Sequence, residues 1–178
     1  MQPLIRLFIE IVLHRKGPQD VPALGVVLGV TLCAYLLVGA AVLWPSTASV
    51  NTLLGQLTLD LLLLVLVFGG LLGGTGRSGR IPQTLSALFG TGALLSAAAL
   101  PFAWIAARTI SDGEPVPGME GPALLSAMAL FTLLVASLFV TGHILRHALG
   151  WSYAAGVLAA VLYFATSVAV FRAVFPVA

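Results

Sequence analysis

The run VNTLLGQLTLDLLLLVLVFGGLL, residues 50–72, contains one ionisable side chain, Asp60, and no proline. A helix rising 1.5 Å per residue crosses a hydrocarbon core of about 30 Å in about 20 residues. A soluble helix of similar length would present a charged face to water, and this run has none. The stretch therefore reads as a membrane-spanning helix. Four neighbouring stretches read the same way, giving spans at about 21–44, 50–72, 81–107, 122–145 and 151–175. Pro101 is expected to kink the third of them.

Composition agrees. Hydrophobic residues make up 60% of the 178 and charged residues 8%, whereas soluble domains carry about 25% charge. So few charges cannot cover a soluble core, and lipid must be the solvent for most of the surface. The fold class is all-α: residues 1–178 form one polytopic membrane bundle with no separate soluble domain. A net charge of +2 gives a nucleic acid no electrostatic footing. Cys33 is the only cysteine and lies in an apolar run, so it reads as a small packing residue.

Residues 1–16 differ from the spans, because Arg6, Glu10 and His14 recur at i, i+4 as a polar stripe on an apolar helix. The segment is too short to cross, so it is expected to lie at the membrane surface as an amphipathic helix or to dock against the bundle. Its charges sit inside the apolar stretch, which argues against a cleaved signal peptide. Gly17-Pro18-Gln19-Asp20 breaks it, and Asp20 is placed to cap the next helix with Pro22 in its first turn.

Basic residues set an orientation. Arg6, Arg15, Lys16, Arg77, Arg80 and Arg146 fall on one side of five alternating spans. Asp112, Glu114 and Glu120 fall on the other, with Arg108 at its edge. The positive-inside rule then puts the N-terminus in the cytoplasm and the C-terminus outside. Arg172 is the discordant charge, and its stem can snorkel to the far interface. Trp44, Trp104, Trp151 and Tyr153 lie near span ends, where aromatic belts form. Arg15, Lys16, Arg77, Arg80 and Arg146 are expected among the headgroups, the glycine-rich loop at 73–80 with them.

Helices in lipid associate through close backbone contact, which small residues permit. Gly25 with Gly29, Gly69 with Gly73 and Gly70 with Gly74 make GxxxG pairs. Ser86, Gly90 and Ala93-Ala97 mark a small face on the third span, and Ala155, Ala159 and Ala160 one on the fifth. These faces serve either contacts within the bundle or contacts between subunits.

Asp60 is the costly residue. An Asp at a helix centre costs roughly 2.5–3.5 kcal/mol on insertion, so it should face other helices or water. Thr52 and Gln56 precede it on the same helix face. The stripe Thr52-Gln56-Asp60 reads as a carboxyl that fixes helix packing or as a proton or cation site. His143 and His147 stand at i, i+4, but two imidazoles beside Arg146 do not make a metal site, and they read as interfacial. No His-Glu-x-x-His, Gly-x-Ser-x-Gly or phosphate-loop motif is present. The expectation is a non-enzymatic protein without cofactor or metal.

The third span opens with Arg80-Ile81-Pro82-Gln83-Thr84-Leu85 and continues through Gly90-Thr91-Gly92. With an N-terminal surface helix and five spans, this resembles bacterial members of the Yip family of membrane proteins, in motif over Gln83 to Gly92 and elsewhere in architecture. Eukaryotic members are implicated in vesicle traffic and contact small GTPases, through an Asp-Leu-Tyr-Gly-Pro type motif that this chain lacks, so GTPase binding is not carried over. The resemblance implies fold more than activity. The function expected is that of a scaffold or accessory subunit of a membrane assembly, whose partners are the lipid bilayer and other membrane subunits or a second copy. The alternative is a small transporter or channel built on the Asp60 stripe. A lipid-modifying enzyme ranks last, since no paired catalytic groups share a depth.

Overall fold

A computed structural model describes residues 2–47, 49–111 and 113–175. Asp112, one of the acidic residues of the third connection, lies outside them. The described chain is all-helical apart from one short ribbon: α1 (Gln2–Val12), α2 (Gly25–Leu43), α3 (Val50–Gly74), α4 (Ile81–Thr109), α5 (Glu120–Leu149) and α6 (Tyr153–Val174). Helices α2 to α6 are the five that are long and apolar enough to cross a membrane. Between α4 and α5, where sequence alone suggests only a loop, β1 (Ile110–Ser111) pairs antiparallel with β2 (Glu114–Pro115).

Local chemistry accounts for the helix ends. Ser49 caps α3, its hydroxyl accepting from Thr52 N–H at 3.1 Å, and Ser152 caps α6 by accepting from Ala155 N–H at 3.2 Å. Gly150 ends α5 in the left-handed region at φ +64°, where a side chain would be strained. The expected cap on α2 is not formed. Asp20 turns back instead, its Oδ2 accepting from Gly17 N–H at 2.9 Å across a 3-10 turn at Pro18–Asp20. The carboxylate thus takes a donor behind it, and α2 starts later than expected, at Gly25. Pro101 lies within α4, which continues past it to Thr109.

Helix α4 is the centre. It packs against α2 on one side and α5 on the other, with α1 and α3 also touching it; α6 lies against α5, and α3 reaches both α2 and α6. Every residue from Thr84 to Thr91 is buried. Their buried neighbours are Phe8 and Ile11 of α1, Leu64, Phe68 and Leu72 of α3, and Val140, Ile144, Leu145, Ala148 and Leu149 of α5. The core therefore sits in the half of the bundle that carries α1. In the other half of α4, past Ala93, only Thr109 is buried, and in α5 only Ala123 and Ser126 before Val140.

Two glycine contacts hold this packed half. A Cβ on Gly142 would lie 2.8 Å from Cα of Val157, and one on Gly156 would run into the carbonyl oxygen of Gly142. Here α5 and α6 touch backbone to backbone. Gly90 faces the ring of Phe8 and Gly92 that of Tyr35 in the same way. By contrast a Cβ on Gly25, Gly29, Gly69, Gly70, Gly73 or Gly74 would meet nothing within 4 Å among the described residues. Of the glycines expected to serve packing, Gly90 alone is packed inside the bundle.

The segment after α1 is tied by charge. Glu10 takes Lys16 Nζ at 2.8 Å and Arg6 Nε at 3.1 Å. These two cations, Lys16 first, hold its carboxyl below the ordinary glutamate range. A lowered carboxyl stabilises the fold above its usual titration range, and that contribution is lost as pH falls through the lowered value.

Substitutions at these contacts should separate packed glycines from open ones. Gly156→Val should destabilise the protein in detergent by about 1–3 kcal/mol, read as a lower melting temperature, whereas Gly73→Ala should leave it unchanged. Glu10→Gln should speed amide exchange at Arg15 and Lys16 at neutral pH. The difference from the unsubstituted chain should close once the pH falls below the lowered Glu10 range.

Candidate functional site

Asp60 lies where α3 passes α2 and α6. Tyr35 of α2 donates its hydroxyl proton to Asp60 Oδ2 at 2.5 Å. This hydrogen bond ties α2 to α3 through side chains, and Tyr35 is itself held by the ring of Phe89 at 5.3 Å between centroids. On the other side α6 contributes Tyr163, whose ring packs on Phe68 at 4.7 Å. Asp60, Tyr163, Phe164, Ser167, Phe171 and Arg172 line a cavity of about 320 Å³ between α3 and α6. The cavity falls in the less packed half of the bundle.

Register explains how Arg172 comes to be there. Phe68 stacks on Tyr163, and a Cβ on Gly55 would sit 3.1 Å from Phe175 Cζ, so α3 and α6 run antiparallel. That pairing sets Arg172 within about two residues of the level of Asp60, or about 3 Å of rise. From sequence no basic residue is expected at that depth, because Arg172 lies close to the end of its own span. No ion pair joins the two, since the salt bridges among the described residues are those of Glu10.

The expected stripe divides. Gln56, one turn before Asp60 on α3, is not among the residues that line the cavity; its Oε1 is buried without a hydrogen-bond partner among the described residues, as is Ser167 Oγ. The Tyr163 hydroxyl is a neighbour of Ser167 but lies outside hydrogen-bond geometry. Thr52 belongs to the helix cap, its hydroxyl 2.9 Å from that of Ser49. Tyr35, Tyr163, Ser167 and Arg172 join the site without having been expected there. Only the two tyrosines carry a sequence signal, a phenol within an otherwise apolar run.

A second polar cluster closes the end that carries α1. Arg77 Nη1 donates to the Ala148 carbonyl at 3.2 Å, and Arg80 Nη1 to those of His147 and Ala148 at 3.1 Å each. Both arginines therefore cap the C-terminus of α5, where carbonyls lack helix partners and cations are favoured. Arg15 and Arg146 are exposed, and Lys16 is bound to Glu10. His143 Nε2 donates to the Lys16 carbonyl at 2.8 Å, and His14 packs against its ring at 4.5 Å. His147 adds a third ring 4.7 Å from that of His143. These imidazoles fasten the segment after α1 to α5. Among the described residues no group of three His, Cys, Asp or Glu side chains is arranged to hold a metal ion.

Tyr35→Phe should remove the one donor observed on Asp60 and cost about 1–3 kcal/mol, measured as a lower melting temperature in detergent. Thr52→Val should leave the site itself untouched. The chain matches no protein-family model, no curated protein and no solved structure.

Proposed function

We propose that the chain is a non-enzymatic, multi-pass protein of the bacterial inner membrane that acts as a scaffold or accessory subunit of a membrane assembly. In this reading the N-terminus is cytoplasmic, the C-terminus outside, and α1 an amphipathic helix at the cytoplasmic surface. The observation that carries it is the bare backbone on α2 and α3. A Cβ on any of six glycines, Gly25, Gly29, Gly69, Gly70, Gly73 and Gly74, would meet nothing within 4 Å among the described residues. Backbone left open in this way lets another helix approach closely, which is how helices associate in lipid. The partner is another membrane subunit or a second copy. Relationship to the Yip family belongs to the same proposal and rests on the sequence of the Gln83–Gly92 stretch, in the first half of α4.

Native mass spectrometry of the chain in mild detergent tests the assembly. A partner or a second copy should be retained, and Gly73→Leu should weaken its retention; a bare monomer with no partner would overturn the reading. For the orientation, Gly76→Cys and Gly113→Cys in a Cys33→Ser background should react with impermeant thiol reagents from opposite sides, Gly76→Cys from the cytoplasm.

A transporter or channel is the second reading, favoured by the cavity that Asp60 and Arg172 share. It requires ion flux into proteoliposomes that Asp60→Asn abolishes.

A further inference from the structure

We infer that the imidazoles of His14, His143 and His147 form a pH-sensitive latch, which holds the segment after α1 on α5 while the rings are neutral and releases it when they take up protons. The rings follow one another in a row, with centroids 4.5 Å apart between His14 and His143 and 4.7 Å between His143 and His147. The middle ring is buried and donates from Nε2 to the Lys16 carbonyl at 2.8 Å. A neutral imidazole that donates from Nε2 keeps Nδ1 free for a proton. His14 Nε2 lies 3.3 Å from the Phe139 carbonyl and 3.4 Å from the Tyr153 hydroxyl, so the row joins the end of α1 to both α5 and α6. His14 is also the one described residue other than glycine with a left-handed backbone, at φ +58°. Glycine is the usual residue at such a helix end, and here side-chain contacts hold a histidine in its place.

The free charges around the row are of one sign. Arg15 and Lys16 belong to the latched segment, and Arg146 stands on α5 between the two histidines. Arg77 and Arg80 come from the connection before α4, with Arg80 bonded to the His147 carbonyl itself; α6 contributes only the Tyr153 hydroxyl. The nearby acids are engaged elsewhere, Glu10 by Lys16 and Arg6 and Asp20 by Gly17 N–H. Among the described residues no histidine is ion-paired with a carboxylate. A first proton on the row therefore adds a cation to a cationic neighbourhood, and a second sets like charges side by side where little water screens them. An imidazole free in water takes its proton near pH ~6.5. The released segment binds more protons than the latched one, so latching is complete above that range and weakens as pH falls through it. Phe8 and Ile11, buried in the core, keep α1 itself in place, and the release is local.

The test is hydrogen–deuterium exchange of the full chain in detergent, with protection corrected for the chemical exchange rate at each pH. The amides of Arg15 and Lys16 donate to the Glu10 carbonyl. Between about pH 6.5 and about pH 5.5 their protection should fall about tenfold, as the uptake of one extra proton gives, while that of Leu145 in the core holds. Glu10 does not interfere, because its lowered carboxyl titrates below this window. His143→Gln, whose amide can still donate to the Lys16 carbonyl, should flatten the pH profile, a result that loss of packing alone would not give. His14→Asn, which tolerates the left-handed backbone, should flatten it too and decides the matter if His143→Gln does not fold. Constant protection at Arg15 and Lys16 across the window, an equal fall at Leu145, or an unchanged profile in a folded variant overturns the proposal.

Discussion

On the proposed membrane placement, exchanging a lipid contact for a leucine contact gains little, so the bundle must find other reasons to close. In this protein the reason is close fit around the first half of α4. Threonine, serine, alanine and glycine between Thr84 and Thr91 let α1, α2 and α5 approach from several directions. The hydroxyls of Thr84 and Thr91 fold back onto carbonyls of their own helix, so those side chains pass into the core without unpaired donors. Phe8 fills the space over Gly90 and Tyr35 that over Gly92. Tyr35 then carries the fit onward, because the side chain that rests on α4 also presents its hydroxyl to Asp60.

The two halves of the molecule differ as a result. Around α1 the chain closes with side-chain-to-carbonyl ties from Arg77, Arg80, Gln83 and His143, each linking elements far apart in sequence. Toward the other end the links thin to contacts such as Trp104 Nε1 donating to the Ala41 carbonyl at 3.1 Å. Asp60 sits where the packed half gives way to the open one. It is held by one tyrosine and bordered by a cavity, a setting that gives a carboxyl both a fixed position and room beside it.

The five span-length helices are legible in the sequence because the signal is local: an apolar run reports its own length. Asp60 is legible for the same reason, since a lone acid among leucines stands out whatever its neighbours are. Its surroundings are not. Tyr35 and Arg172 meet it through the register of α2 and α6 on α3, which no span records by itself. Glycine spacing shows where helices can come close, but not which contact each glycine serves. The repeated pairs on α2 and α3 face away from the chain, while the α5–α6 contact depends on Gly142, which has no glycine four residues away. Gly156 with Ala160 does show small-residue spacing, and both are buried. Asp20 stands in the right place to cap α2 by sequence order alone, yet the donor it takes, Gly17 N–H, lies behind it.

The burial of α4 has a consequence for how the protein is made. Of the five span-length helices, α4 is the least apolar and the most buried. On the proposed membrane placement it is, taken alone, the segment with the weakest claim to remain in lipid. Helix α2 precedes it in the chain and offers the surface of Tyr35, whereas α5 follows it. The order of the chain thus gives its most dependent segment one companion during synthesis and the other afterwards. Arg77 and Arg80 meanwhile wait at the connection before α4 for carbonyls that α5 has yet to bring, so the last turn of α5 is completed by residues made some seventy positions earlier.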